Sequence, residues 1–179
     1  MTEKVIEQPL IQEVESSLRK RKMTYEEFLD WCDEDTCAEW VDGEVEMVSP
    51  ASREHQGIKI FLVELLSRFV AARNLGVVLD APFQMKTGPE LAGREPDILF
   101  VATEQLARLK KTYLDGPADL AIEIVSPESV LRDRGAKFAE YELGGVSEYW
   151  LIHREQRRAD FYQLDAQGRY RLKPSELQP

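Results

Sequence analysis

The chain has 179 residues, of which 43% are hydrophobic and 31% are charged, a composition typical of one globular domain and unlike that of a disordered chain. Its formal net charge of −10 argues against broad, non-specific binding to nucleic acid, which depends on Lys and Arg neutralising phosphates. No apolar run reaches the roughly 20 residues that a membrane-spanning helix needs, and the acidic N-terminus lacks the apolar core of a secretion signal. We therefore expect a cytoplasmic protein without a membrane partner.

Three segments are expected along the chain. Residues 1–22 are predicted to form an N-terminal arm, helical between residues 11 and 21, and residues 175–179 a short tail. The domain itself is expected at residues 23–174. The scattered apolar side chains of the arm would suit packing on a second subunit, so a homodimer is one expectation.

The N-terminal part of the domain begins with a helix and a hairpin. Thr24 and Glu27 have the spacing of a capping box, which predicts a short helix ending near Asp33. Asp42-Gly43 lies between two alternating segments and predicts a β-hairpin.

A long helix is predicted next, ending at Asn74 and Gly76. Its apolar side chains recur at intervals of three and four residues, which predicts a single apolar stripe that faces the core. The stripe consists of Ile58, Phe61, Leu62, Leu65, Leu66, Phe69 and Val70.

The rest of the chain alternates between strands and helices. Strands are predicted at 77–79, 83–86, 98–101, 120–125, 148–153, 159–164 and 169–172, the last two forming a hairpin. Helices are predicted at 103–109 and 127–143, and a polar loop at 88–95. This order predicts an α/β fold in which a mixed central β-sheet is flanked by helices, with β-hairpins on the N- and C-terminal sides.

Two acidic residues stand out because they adjoin or interrupt apolar strands. Asp97 directly precedes the strand at 98–101, and Glu123 interrupts the strand at 120–125. A carboxylate in a buried strand is costly unless it is paired or binds a metal. The ordinary explanation is an ion pair or a place at a sheet edge, and the functional explanation is a metal site.

The direction of Glu123 follows from the alternation of side chains along a strand. Glu123 is expected to share one face with Ala121 and Val125. If the opposite face covers the core, Glu123 looks into a cleft.

Lys137 is a third candidate because the helix that follows the Glu123 strand can return it beside that strand. Asp133 lies four residues earlier on the same helix. From the spacing alone, the simpler interpretation is a solvated ion pair between Asp133 and Lys137, which contributes a few tenths of a kcal/mol.

Several separate motifs, in the right order between Tyr25 and Leu172, resemble the Uma-type family of "putative restriction endonucleases". This family was formerly a domain of unknown function and belongs to the PD-(D/E)XK nuclease superfamily. The motifs are Glu39-Trp-Val-Asp-Gly-Glu44, Glu54-His55-Gln56, Glu-Pro-Asp97-Ile-Leu-Phe-Val, Asp-Leu-Ala-Ile-Glu123-Ile-Val-Ser-Pro-Glu-Ser, Asp133-Arg-Gly-Ala-Lys137 with Tyr141, and Gly145-Val-Ser-Glu-Tyr-Trp-Leu-Ile.

The resemblance implies a mixed sheet flanked by helices, with Asp97 and Glu123 on neighbouring strands. It implies that they bind Mg²⁺, or alternatively Mn²⁺, together with the backbone carbonyl of Ile124. The usual superfamily lysine comes two residues after the glutamate, where this chain has Val125. The lysine is therefore expected on the next helix, as Lys137, where it would orient or deprotonate the attacking water or stabilise developing charge.

Two further residues match the family pattern. His55 lies near the start of the long helix, where the superfamily often has an acidic residue, and we predict it in the active site; a helix cap or surface residue is the alternative. Glu39 could complete the metal shell, and a cross-strand pair in the hairpin is its alternative.

The leading hypothesis is a Mg²⁺-dependent endonuclease that hydrolyses phosphodiester bonds in DNA. One alternative is a catalytically weak or inactive protein of this fold with a nucleic-acid-binding or regulatory role, which the acidic net charge favours. Another is a hydrolase of a smaller phosphorylated substrate. The chain has no glycine-rich phosphate loop, and we expect no organic cofactor. A basic groove beside the site would favour nucleic acid, and its candidates are Arg53, Lys59, Arg132, Arg134 and Arg154.

Overall fold

The computed structural model describes residues 22–33, 36–126 and 129–174, so the predicted arm (apart from Lys22) and the predicted tail lie outside the described residues. The helices are α1 (Tyr25–Trp31), α2 (Arg53–Arg73) and α3 (Lys137–Gly144), with a 3₁₀ helix at Thr103–Arg108 and a π-helical turn at Arg132–Ala136. The strands are β1 (Ala38–Val41), β2 (Glu44–Met47), β3 (Gly76–Asp80), β4 (Gln84–Lys86), β5 (Gly93–Arg94), β6 (Ile98–Ala102), β7 (Tyr113–Asp115), β8 (Leu120–Val125), β9 (Glu148–His153), β10 (Arg158–Leu164) and β11 (Tyr170–Lys173).

The predicted α/β fold with flanking helices is confirmed, and its strands form two mixed sheets. The larger sheet has the order β11-β10-β9-β8-β6-β3, and the smaller has the order β2-β1-β5-β4-β7. In the larger sheet only β8 and β9 are parallel. A parallel pair requires a crossover connection, and the segment that contains the π-helical turn and α3 supplies it. This connection brings α3 back beside the strand that carries Glu123.

Both predicted N-terminal signals are confirmed. Thr24 accepts a hydrogen bond from the Glu27 amide at 3.2 Å, and the Glu27 carboxylate accepts one from the Thr24 amide at 2.9 Å. The hairpin turns at Asp42 and Gly43, both with positive φ. Asn74 ends α2 in the left-handed conformation, with φ of 54°.

The long helix forms as predicted, but the prediction of a single core-facing stripe is wrong. Leu62 and Leu66 pack on the larger sheet, whereas Phe61, Leu65 and Phe69 are 63%, 53% and 48% exposed. Successive residues of an α-helix point in directions about 100° apart around the helix axis. The exposed side chains therefore form a second stripe on a neighbouring face of the helix, which does not face the sheet. Within the described residues, no helix is both long and apolar enough to cross a membrane.

The two faces of β8 are both covered, which modifies the expectation for Glu123. All six residues of β8 are buried. Ala121 and Val125 belong to the core on the α3 side, and Ile122 belongs to the core on the α2 side. Glu123 is therefore buried under α3 and reaches the cleft only where the strand approaches its end.

Three smaller differences concern short elements. The segment predicted as a loop at 88–95 contains β5, the helix predicted at 103–109 is a 3₁₀ helix, and β7 was not predicted. The surroundings of Gly93 explain why β5 could not be predicted from the local sequence. A Cβ atom there would lie 2.3 Å from the Tyr25 ring, so the strand depends on a close tertiary approach of α1.

Candidate functional site

A cleft of about 540 Å³ opens where β1, the start of α2, the end of β8 and the π-helical turn meet. All five of the side chains predicted for the site line this cleft, together with Ile124. They are Glu39, His55, Asp97, Glu123 and Lys137.

Asp97 is held by two donors that converge on one of its oxygens. His55 Nε2 lies 3.1 Å from Asp97 Oδ2, and the Ile124 amide donates to the same oxygen at 2.7 Å. The Ser52 hydroxyl caps α2 by accepting from the His55 amide, which fixes the start of the helix that carries His55. Among the described residues, Asp97 Oδ1 has no hydrogen-bond donor and is available to a ligand in the cleft.

Glu123 is likewise held through one oxygen. Lys137 Nζ donates to Glu123 Oε1 at 2.8 Å, and the Tyr141 hydroxyl donates to the same atom at 3.0 Å. Lys137 and Tyr141 are one turn apart on α3, so this helix presents both donors to β8. Glu123 Oε2 has no donor among the described residues.

Glu39 lies on the other side of Lys137 and joins the site to the smaller sheet. Its Oε1 lies 2.9 Å from Lys137 Nζ and accepts from the Glu95 amide at 3.1 Å. Its Oε2 accepts from Arg94 at 2.9 Å. Arg94 in turn makes a two-pronged ion pair with Glu140 of α3, at 2.7 and 2.8 Å. Both oxygens of Glu39 are thus occupied within the protein.

Burial and the neighbouring charges change the pKa values of these groups in opposite directions. Burial would lower the pKa of Lys137, but Glu123 and Glu39 hold it above its usual value, so the lysine is protonated. Burial would raise the pKa of Glu39, but Lys137 and Arg94 lower it to about 2. Burial raises the pKa of Glu123 well above its usual value, although Lys137 opposes the change.

Two acidic residues that sequence reasoning did not assign to the site, Glu95 and Asp133, also line the cleft. Glu95 accepts from Gln84 at 3.0 Å, and burial together with Glu39 raises its pKa to about 7. Asp133 is 1% exposed, so the expected solvated pair with Lys137 is wrong. Burial raises the pKa of Asp133, against the effect of Lys137. Arg132 precedes it in the π-helical turn and also lines the cleft.

Two of the five cations proposed for a basic groove line the cleft, Arg132 and Arg154. Arg154 donates to the Ser52 hydroxyl at 2.5 Å across the cleft mouth. Lys59 instead binds the Ala81 carbonyl and Asp80, and Arg134 binds Asp160. The basic surface beside the site is therefore smaller than the one that the five proposed cations would have formed.

The donor set fits a hard divalent cation. Asp97 and Glu123 each keep one carboxylate oxygen without a donor among the described residues, and Ile124 lines the cleft beside them. Within residues 22–33, 36–126 and 129–174, no three His, Cys, Asp or Glu side chains converge closely enough to hold an ion by themselves. Backbone oxygen and water would have to complete the shell, as Mg²⁺ commonly requires.

Glu39 should contribute to stability in a pH-dependent way. Because its folded pKa of about 2 lies below the ordinary 4.5, its contribution is complete above pH 4.5 and is lost as the pH falls towards 2. We expect Glu39→Gln to lower the free energy of unfolding by about 3 kcal/mol at pH 7. Urea denaturation at pH 7 and pH 3 should show the difference from wild type shrinking at the lower pH.

The matched control is Glu46→Gln, which replaces the cross-strand partner of Glu39. Its side chain is 49% exposed and lies 3.6 Å from Arg94, so its effect should stay below about 1 kcal/mol. Equal losses for the two variants, or a Glu39→Gln loss that does not change with pH, would contradict this account.

The residues of the site that were not predicted differ in whether the sequence contained any indication of their role. Arg94 contacts side chains that are distant in sequence, and no local pattern connects it with Glu39. Tyr141 belongs to the family motif that contains Lys137, but no local pattern connects it with Glu123. Asp133 carried a signal, because it lies one helical turn before Lys137. That spacing fitted a surface pair equally well.

Two comparisons with known proteins bear on this site. Residues 25–179 match the model of Uma2, a family described as "Putative restriction endonuclease". A crystal structure from Anabaena variabilis ATCC 29413, described as "a putative nuclease belonging to DUF820", has a TM-score of 0.69 and 18% sequence identity, and the match covers 88% of each chain. At this identity the likeness concerns the fold alone. No curated protein matches the chain.

Proposed function

The chain belongs to the Uma2 family, and we propose that it is a divalent-metal-dependent endonuclease that hydrolyses phosphodiester bonds in DNA. One observation carries the proposal. Asp97, directly before β6, and Glu123, on the adjacent strand β8, line one cleft. Each keeps one carboxylate oxygen without a donor among the described residues, and Lys137 donates to Glu123 at 2.8 Å.

Asp97 Oδ1, Glu123 Oε2 and the Ile124 carbonyl would hold the cation. Mg²⁺ suits this oxygen set, and Mn²⁺ is the alternative. When bound, the cation would supply a polarised phosphate and a water that is nucleophilic near neutral pH. His55 and the Ile124 amide keep Asp97 in place, since both donate to Oδ2.

Lys137 contributes positive charge and orientation to the reaction. Its two carboxylate partners keep it protonated, so it cannot accept a proton from the attacking water. It can stabilise negative charge that develops on the phosphate. Glu39 acts through Lys137 and is not a metal ligand in this proposal, because its two oxygens are already occupied by Lys137, Arg94 and the Glu95 amide.

A binding or regulatory role without cleavage is the second candidate. The net charge of −10 favours it, as does a cleft lined by only two arginines among the described residues. Tight DNA binding generally requires several Lys or Arg contacts to phosphates.

One experiment separates the candidates. The purified protein is incubated with supercoiled, linear and single-stranded DNA across a range of Mg²⁺ and Mn²⁺ concentrations, with EDTA as a blank. We expect cation-dependent cleavage that Asp97→Ala, purified in parallel, abolishes. Cleavage by Asp97→Ala equal to that of wild type would refute the site, and cation-dependent DNA binding without cleavage would support the second candidate.

A further inference from the structure

Three buried polar atoms of cleft-lining residues have no hydrogen-bond partner among the described residues: His55 Nδ1, Arg132 Nε and Asp133 Oδ1. The last two are adjacent and lie 3.7 Å apart. This distance is too long for a hydrogen bond between them. Buried polar groups in native proteins nearly always have a hydrogen-bond partner. Arg132 and Asp133 form an ion pair with each other, but neither of these atoms has a hydrogen-bond partner among the described residues, which points to a ligand that supplies the partners.

The π-helical turn explains how both residues come to line the cleft. The Lys137 amide donates to the Arg132 carbonyl five residues earlier, whereas an α-helix would use the residue four earlier. In a regular α-helix, residues five apart point about 140° away from one another. The wider turn reduces that angle, so Arg132 lines the same cleft as Asp133 and Lys137. Such turns are frequent at functional sites.

We propose that Arg132 and Asp133 bind the two reactants: Arg132 donates to a non-bridging oxygen of the phosphodiester, and Asp133 accepts from the attacking water. The inference rests on the proposed function. A guanidinium matches the geometry of a phosphate, and a carboxylate oxygen without a donor is an acceptor for water. The opposite charges of the pair suit a neutral water lying next to an anionic phosphate.

Asp133 can also take a role that several other cleft residues cannot. Lys137 donates to Glu123 and lies against Glu39, Glu39 is fully occupied, and Asp97 and Glu123 are assigned to the cation. In the step itself the water oxygen forms the new bond to phosphorus, and the bond from phosphorus to the leaving oxygen breaks. The proton of the water passes to the Asp133 carboxylate, and the leaving oxygen takes a proton from solvent.

The Arg132 half is tested by binding, without cleavage. Wild type, Arg132→Gln and Arg134→Gln are titrated with inorganic phosphate by calorimetry and with a labelled DNA duplex by fluorescence anisotropy, both in Ca²⁺. Arg134 is the matched control, because it lies in the same turn but binds Asp160 at 2.7 Å, outside the cleft. We expect Arg132→Gln to weaken both affinities roughly 10- to 100-fold, with Arg134→Gln within about twofold of wild type in both assays.

The proposed role of Asp133 is tested by measuring kcat and DNA binding separately in the same variant. Asp133→Asn keeps the shape of the side chain but cannot take a proton. We expect kcat in Mg²⁺ to fall roughly 100- to 10,000-fold, with the duplex Kd in Ca²⁺ changed less than about threefold. Circular dichroism and the thermal midpoint confirm folding of each variant. Unchanged kcat in Asp133→Asn overturns this half.

The outcomes also separate this inference from the proposed function. Wild type that cleaves DNA, with Arg132→Gln binding phosphate and duplex normally, would overturn the inference and leave the function standing. Arg132-dependent phosphate binding by a protein that cleaves none of the DNA substrates would support the phosphate subsite and refute the nuclease. A protein that binds neither inorganic phosphate nor duplex would overturn both.

Discussion

Replacing Lys137 by Met should lower the free energy of unfolding by about 3–5 kcal/mol at pH 7 and abolish cleavage. Lys137 is buried between Glu123 Oε1 at 2.8 Å and Glu39 Oε1 at 2.9 Å. Without the lysine two carboxylates remain close together inside the protein, and their mutual repulsion adds to the cost of burying each charge. Part of the loss should disappear at low pH, where the carboxylates take up protons.

Urea denaturation measures the effect, and two further variants decide its cause. Lys110→Met is the matched control, because Lys110 is 44% exposed and only 4.0 Å from its partner Asp115; it should cost less than about 1 kcal/mol. The double variant Lys137→Met/Glu123→Gln should recover a substantial part of the lost stability. A double variant no more stable than Lys137→Met would contradict the charge-repulsion account.

Replacing Glu123 by Gln should reduce cleavage strongly but change the stability of the protein little. Cleavage should fall at least about 1,000-fold, because a neutral amide replaces a proposed cation ligand. The free energy of unfolding should change by less than about 1 kcal/mol. The amide oxygen can still accept from Lys137 and Tyr141, and Lys137 keeps its ion pair with Glu39 at 2.9 Å, so no buried charge is left without a partner.

Nicking of supercoiled DNA in Mg²⁺, a calorimetric titration with Mn²⁺, and thermal unfolding together measure this balance. The Mn²⁺ affinity should fall at least about tenfold. Glu155→Gln, at a side chain that is 67% exposed, is the control and should match wild type in all three assays. A Glu123→Gln protein with wild-type Mn²⁺ affinity and wild-type nicking would show that Glu123 is not a ligand.

Local patterns predicted most of the fold and singled out two residues that line the candidate site. Asp97 and Glu123 could be singled out because each carboxylate accompanies a strand that is otherwise apolar. Lys137 could not, since its spacing from Asp133 fitted a surface ion pair, and only the resemblance to a nuclease family with a displaced lysine favoured it. The position where the superfamily usually has lysine is Val125, which packs in the core.

The residues that hold the site in place could not be predicted. Arg94 acts by contacting Glu39 and Glu140, and the three residues are far apart in the chain. In β5, which carries Arg94, a Cβ atom on Gly93 would collide with the Tyr25 ring. Such contacts depend on the tertiary structure, and sequence periodicity contains no information about them.

The buried charges around Lys137 also join the two sheets. Glu39 belongs to the smaller sheet and Glu123 to the larger one, and Lys137 contacts both. Arg94, on the smaller sheet, makes a second link through Glu140 of α3. Neither sheet can rotate or slide against the other without separating a buried charge from its partner, a motion that costs several kcal/mol. The cleft should therefore have nearly the same shape before and after a ligand enters, with little energy spent on rearranging the protein when the ligand binds.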